Sequence, residues 1–250
     1  MDTLKYKCVI FDLDGTIYFG NKLAFKANEV VSKARTMCEK IFFITNNSAK
    51  TREQIYTKLI DLGLNVQPKE IMTTSYAITK YLKNNNYNKV YCIGTKHLKE
   101  QLEKENIITN SKEPEIIVVG YNQDFKLSDL DELANINTQN SKLLVANKER
   151  NYPKENGYIF PGAGPIVSAV ETLLNKETDF IIGKPNIEMI NIAVNDYGFN
   201  PNEILVVGDS YESDIKMAQA YGADSILISK EKKNDCQCIE KLADLLEILK

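Results

Sequence analysis

Lys7-Cys-Val-Ile-Phe-Asp-Leu-Asp-Gly-Thr16 decides how the rest of the chain is read. Lys7 to Phe11 is an apolar run of strand length, short enough to be a strand buried on both faces. Asp12 ends it, Asp14 follows two residues later, and Gly15 lets the chain leave in a sharp turn. Carboxylates just beyond the carboxyl end of a parallel strand stand where open α/β sheets bind their ligands. The stretch is not an EF-hand, because the glycine and the later ligands fall at the wrong offsets.

Working outward from this strand, the chain alternates strands with helices. Ala27, Val30, Val31, Ala34 and Cys38 recur at helical spacing, and Lys40 to Thr45 reads as a second buried strand. Thr51-Arg-Glu-Gln54 is a capping box that opens a helix closed by Gly63, and a further helix is expected from about Ser75 to Lys83. Asn84 to Asn88 is a polar break. Beyond it, Val90–Ile93, Ile116–Val119 and Leu143–Ala146 read as strands, with helices near Lys96–Lys104 and Ser128–Asn140. The segment Asn147 to Pro165 is too long for a simple connection, which marks it as functional. Phe180–Ile182, Ile204–Val207 and Ser225–Ile228 then resume the strand pattern, with helices near Ile187–Tyr197 and Ser213–Tyr221. Ile239, Leu242, Leu246 and Leu249 mark an amphipathic terminal helix. The expected fold class is α/β, with a parallel core made of residues 1–83 and 180–250 and an inserted α/β domain at 84–179.

Three more motifs stand at the ends of expected strands. Thr45-Asn46-Asn47 offers a hydroxyl and backbone N–H groups suited to a phosphoryl oxygen. Gly183-Lys184-Pro185 is no Walker A loop, since position 178 is threonine and Pro185 replaces the serine or threonine that loop requires. Gly208-Asp209-Ser-Tyr-Glu-Ser-Asp214 puts one carboxylate past a strand and another near the start of a helix. Singly, each has an ordinary reading as a turn, a cap or a solvated charge. Their order, each at a strand's carboxyl end, makes the combination informative.

Composition narrows the partners. The 250 residues carry 31 basic and 34 acidic side chains, a net charge of −3 that gives no excess for nucleic acid or anionic lipid. Apolar runs are far short of a membrane span and the first residues lack an apolar leader, so a cytoplasmic location is expected. His97 is the sole histidine, which rules out a multi-histidine zinc site; a solvated or capping role is expected for it. Five cysteines without a C-x-x-C pair argue against a disulfide framework, and Cys236 and Cys238 have no assigned role.

The four motifs resemble those of the haloacid dehalogenase (HAD) superfamily across nearly the whole chain. The large insertion, the run Asp12-Leu-Asp-Gly-Thr-Ile-Tyr-Phe-Gly20, Thr45-Asn-Asn47 and the turn Pro161-Gly-Ala-Gly164 are similar to its NagD and p-nitrophenyl phosphatase subfamily. The resemblance implies a Rossmann-like core with an inserted cap. It also implies a phosphatase acting on a small-molecule phosphomonoester, such as a sugar phosphate or a nucleotide. Asp12 would be the nucleophile and Asp14 the general acid–base. Mg²⁺ would be held by Asp12, the Asp14 main-chain carbonyl and Asp209, with Asp214 behind them. Thr45, Asn46, Asn47 and Lys184 would meet the phosphoryl group, and Tyr152 of the cap loop the rest of the substrate. A phosphomutase, or a phosphate sensor without turnover, is the alternative; the intact carboxylate set argues against the sensor. Caps of this type can dimerise, which leaves a homodimer open. Ser210 stands where the subfamily commonly has arginine, and Asn147-Lys-Glu149 where it has Asn-x-Asp, so the substrate is not fixed by the resemblance.

Overall fold

The computed structural model describes residues 5–153 and 158–249. The strands of the first half are β1 (Cys8–Asp12), β2 (Tyr18–Phe19), β3 (Lys22–Leu23), β4 (Lys40–Thr45), β5 (Ile71–Thr73), β6 (Val90–Ile93) and β7 (Ile116–Val119). Those of the second half are β8 (Lys142–Val145), β9 (Asn151–Pro153), β10 (Ile159–Pro161), β11 (Phe180–Ile181), β12 (Ile204–Gly208), β13 (Asp224–Ile228) and β14 (Gln237–Ile239). Two compact units share them. One takes residues 1–45, 53–72 and 184–250, the other 46–52 and 73–183.

The sheet of the first unit runs β14-β13-β12-β1-β4-β5. β1 pairs in parallel with β12 on one side and β4 on the other. With only the six strands of this sheet numbered in chain order and read from the β5 edge, the order is 3-2-1-4-5-6, the doubly wound Rossmann order. All five residues of β1 and of β12 are buried, as strands covered on both faces require. Helix Ala27–Met37 buries Ala27, Val30, Val31 and Ala34 against one face, spaced to make a single apolar stripe. In the same core Phe11 stacks on Phe43 with ring centroids 5.8 Å apart. The order reverses between β1 and β12. That crevice is where such sheets bind ligands.

The second unit carries a separate parallel sheet, β11-β8-β7-β6, with its own core of Ile117, Val119, Leu143, Val145, Val167 and Val170. Here the expected boundaries shift. Phe180–Ile181, expected in the first sheet, pairs with Leu144 and Val145 in the second. Helix Thr74–Asn84 also belongs to the second unit; its Tyr81 ring lies 5.6 Å from that of Phe180, and Gln101 Nε2 donates to Thr79 Oγ1 at 2.8 Å.

Other expectations need correction as well. The stretch read as a loop from Asn147 to Pro165 contains the hairpin of β9 and β10; its residues 154–157 lie outside the described residues. Ile239 ends a strand instead of opening a long helix, and the terminal helix is only Leu245–Ile248, preceded by a 3₁₀ turn. The helix expected from Ser213 begins as a π-helical turn at Tyr211–Ile215. No helix among the described residues is long and apolar enough to cross a membrane.

Candidate active site

The crevice between β1 and β12 gathers the first and fourth motifs. Asp12 is the last residue of β1 and is buried; Asp209 directly follows β12 and is exposed. Asp214 comes back to them from the π-helical turn, and carboxylate oxygens of Asp12, Asp209 and Asp214 lie within 4.8 Å of one another. π-Helical turns recur at functional sites because the extra residue re-aims a side chain. Two glycines make the approach possible. A Cβ on Gly15, whose φ is +91°, would lie 2.3 Å from Asp209 Oδ2, and one on Gly208 would lie 2.2 Å from Asp214 Oδ2.

Lys184 enters the same cluster. Its ammonium donates to Asp214 Oδ1 at 2.7 Å and bonds Asp12 Oδ1, with all three side chains buried. Two carboxylates thus bond one ammonium, and the Asp209 carboxylate lies within 4.8 Å of both carboxylates. Burial opposes the Lys184 charge, but Asp12 and then Asp214 outweigh it and raise its pKa above the ordinary lysine value. For Asp12, burial is the largest influence and pushes the carboxyl well above the usual range, against the opposing pull of Lys184. Desolvation, then the Asp214 charge, raises Asp209 as well.

The donor set fits a hard divalent cation. Asp12 Oδ2 is buried and has no hydrogen-bond partner among the described residues. Asp214 offers no such opening, since Oδ1 accepts from Lys184 and Oδ2 from the Ser210 N–H at 3.0 Å. Asp209 Oδ1 accepts from the Thr16 hydroxyl at 3.1 Å. An all-oxygen cluster short of positive charge is what Mg²⁺ prefers.

Asp14 stands two residues beyond Asp12 on the exposed side of the turn, where its Oδ2 accepts from the Tyr18 hydroxyl at 2.7 Å. Burial and the Asp14 charge hold the Tyr18 phenol far above its ordinary pKa, so it remains a donor. Thr45 ends β4 beside β1 and is buried.

The remaining expected residues belong to the second unit. Asn46 Nδ2 donates to Glu149 Oε1 at 2.6 Å, and the Asn46 carbonyl accepts from Asn147 Nδ2 at 3.1 Å. Asn47 Oδ1 accepts from the Ala49 and Lys50 N–H groups, capping the turn that follows. The Tyr152 hydroxyl lies 3.0 Å from that of Tyr121, and its ring packs between Tyr121 and Phe160. The Pro161–Gly164 turn holds the cap loop through the Gly164 N–H to the Glu149 carbonyl at 2.8 Å. His97 lies in helix Lys96–Lys104, whose cap is Thr95, with Nδ1 3.7 Å from Glu100. Thr16, Tyr18 and Ser210 were not among the expected site residues. Their sole signal in the sequence is proximity to the carboxylates they serve.

Comparison with known proteins gives the family. A family model described as haloacid dehalogenase-like hydrolase matches residues 9–108, and a second, HAD-hydrolase-like, matches 181–245. The sugar-phosphatase AraL of Bacillus subtilis is 30% identical over 223 residues, covering 88% of this chain and 82% of that protein. An acid sugar phosphatase of Staphylococcus aureus is 29% identical over 225 residues, 89% of this chain and 86% of that one. The structure of a p-nitrophenyl phosphatase from Archaeoglobus fulgidus matches at TM-score 0.87 and 26% identity, over 97% of this chain and 99% of that one. The chain belongs to the haloacid dehalogenase-like hydrolases. By class it is a phosphoric monoester hydrolase.

Proposed function

We propose that the chain hydrolyses a small phosphomonoester, a sugar phosphate first among the candidates, through an aspartyl-phosphate on Asp12 and with Mg²⁺ as cofactor. The observation that carries this reading is the state of Asp12: buried, one oxygen tied to Lys184, the other without a partner among the described residues. A carboxylate held in this way is oriented through one oxygen and keeps the other for attack.

Asp12, the Asp14 main-chain carbonyl and Asp209 would hold Mg²⁺. When bound, it supplies positive charge that offsets the carboxylates and the phosphoryl oxygens. Lys184 opposes the burial that raises the Asp12 pKa and draws the phosphoryl group toward that carboxylate, and Asp214 holds the Lys184 ammonium in place. Thr45 and the N–H groups of Asn46 and Asn47 take the remaining phosphoryl oxygens, where charge redistributes during transfer. Asp14 gives a proton to the leaving oxygen and later takes one from water. The core groups address only the phosphoryl group, so discrimination between substrates is assigned to Glu149, Arg150 and Tyr152 of the second unit. The expected compartment is the cytoplasm.

Sugar phosphates lead because both curated relatives compared above are named for sugar phosphatase activity. The test is phosphate release across a panel of sugar phosphates, nucleoside monophosphates and p-nitrophenyl phosphate, with Mg²⁺, Ca²⁺ or chelator. Mg²⁺ should support turnover and chelator abolish it. Ca²⁺ should support little, since its looser shell accepts a bidentate carboxylate and would turn Asp12 away from attack. Full activity in excess chelator, with no metal retained, would refute the metal assignment; no release from any sugar phosphate would refute the substrate class.

A further inference from the structure

We infer that Tyr18 is a positioning residue for the acid–base carboxylate: its phenol holds Asp14 in the orientation that both proton transfers need. The inference rests on the reading of Asp14 given above.

The geometry is local and rigid. Asp14 and Tyr18 form an isolated β-bridge, the Gly15 N–H donates to the Tyr18 carbonyl at 2.8 Å, and the Tyr18 N–H donates to the Leu13 carbonyl at 3.1 Å. The backbone of the turn is thus closed on itself. The side chains repeat the closure, with the Tyr18 hydroxyl donating to Asp14 Oδ2 at 2.7 Å. The Tyr18 ring is 1% exposed within the main core of the first unit, its strand is paired to β3, and the Lys58 ammonium lies 3.7 Å from the ring centroid. A ring so enclosed is held by its packing, and its hydroxyl serves as a post.

Asp14, by contrast, is exposed. An exposed aspartate off a turn would ordinarily sample several rotamers in water. A general acid–base must instead stay within hydrogen-bond reach of the atom it serves. A buried phenol could satisfy itself on any neighbouring carbonyl. Here it bonds the one carboxylate whose orientation limits the reaction. One Asp14 oxygen is anchored, and the other carries the proton.

The chemistry defines what the anchor supports. In the first half-reaction an Asp12 oxygen bonds to phosphorus, the bond from phosphorus to the leaving oxygen breaks, and that oxygen takes the proton of Asp14. In the second, Asp14 takes a proton from water, the water oxygen bonds to phosphorus, and the Asp12–phosphorus bond breaks to regenerate the carboxylate. Tyr18 exchanges no proton in either. Nitrophenolate leaves without an acid, so with p-nitrophenyl phosphate only the second half-reaction depends on Asp14. An alkyl phosphate depends on it in both.

The test is pre-steady-state kinetics of Tyr18→Phe beside the wild type and Asp14→Asn, all with Mg²⁺. With p-nitrophenyl phosphate, Tyr18→Phe should lower kcat about tenfold or more while kcat/KM stays within about twofold, a share of the ~10²–10⁴-fold that a general acid–base supplies. A burst approaching one nitrophenolate per site should precede the slow steady state. Such a burst requires folded enzyme, so it also serves as the folding control. With a hexose 6-phosphate, kcat and kcat/KM should fall together. Tyr18→His, smaller and still able to donate through a ring N–H, provides a second variant and should recover part of the hydrolysis rate. Unchanged kcat in Tyr18→Phe, or a loss of kcat/KM on both substrates without a burst, would overturn the inference while a stalled Asp14→Asn leaves the acid–base reading intact. Wild-type turnover in Asp14→Asn would overturn that reading itself.

Discussion

At the carboxyl ends of β1 and β12 the first unit carries Asp12 and Asp209; just beyond those of β6, β7 and β8 the second carries Thr95, Tyr121 and Asn147. Both sheets use the same place on a parallel scaffold, with opposite chemistry. The second unit's groups are neutral and close on one another: the Thr95 hydroxyl donates to the Ala49 carbonyl at 3.0 Å, the Tyr121 N–H to Ser48 Oγ at 2.9 Å, and Asn147 Nδ2 to the Asn46 carbonyl. They fasten segment 46–52, which continues directly from Thr45, and leave no charge to balance. The first unit's groups are ionic and short of positive charge, with Asp12, Asp214 and Lys184 buried and Asp209 exposed. A neutral set at strand ends builds structure, whereas an unbalanced ionic set holds free energy that a cation can release.

The sharpest way to break this contrast is Asp12→Asn. It should keep the fold and cost at least roughly 10⁴-fold in kcat, as removal of a covalent nucleophile does elsewhere. Turnover close to wild type would erase the distinction between the two strand-end clusters. Lys184→Met should come next. It leaves Asp12 and Asp214 buried without their ammonium, at a cost of about 3–5 kcal/mol in chelator as read by denaturant titration. Mg²⁺ should restore part of that loss, and equal losses with and without Mg²⁺ would count against a cation beside Asp12.

Tyr152→Ala addresses the second unit. It should shift relative kcat/KM among natural phosphates by about 1–3 kcal/mol, the scale of a single pocket contact. A small generic substrate should be affected much less. Equal losses on every substrate would move discrimination elsewhere in that unit. The smallest effect is expected for Asn147→Ala, which removes neutral hydrogen bonds to the Asn46 carbonyl and from the Glu149 N–H, at about 1–2 kcal/mol of stability by thermal melt. A cost as large as that for Lys184 would show that the neutral set carries more than anchoring.

Much of this was legible in the sequence because it depends on short-range pattern. The apolar runs at Lys40–Thr45, Val90–Ile93 and Ile116–Val119 are strands over the expected residues, and helix Lys96–Lys104 matches as well. The structure brings Asp12, Lys184, Asp209 and Asp214 together as the order of motifs suggested. What failed depends on pairing between distant residues. Phe180–Ile181 looks like any buried strand, and only its register with Leu144 and Val145 assigns it to the second sheet. Gln237–Ile239 is a strand because β13 offers it an edge, though Cys236-Gln-Cys238 has no apolar run of its own. The two-residue strands β2 and β3 are too short to leave a periodic trace, so Tyr18 reads as one more apolar residue until its hydroxyl is seen to reach Asp14. Asp214 is a further instance: spacing places it near a helix start, while its contact with Lys184 depends on a π-helical turn that no pattern announces.

The central claim, that Asp12 carries the phosphoryl group between substrate and water, can be tested on one variant. Asp14→Asn, mixed with p-nitrophenyl phosphate and Mg²⁺ and quenched in acid, should accumulate a single phosphoryl group on the peptide that contains Asp12. Hydroxylamine should release it, as it does an acyl phosphate. Steady turnover with no adduct at any time point, or an adduct on a peptide lacking Asp12, would contradict the account.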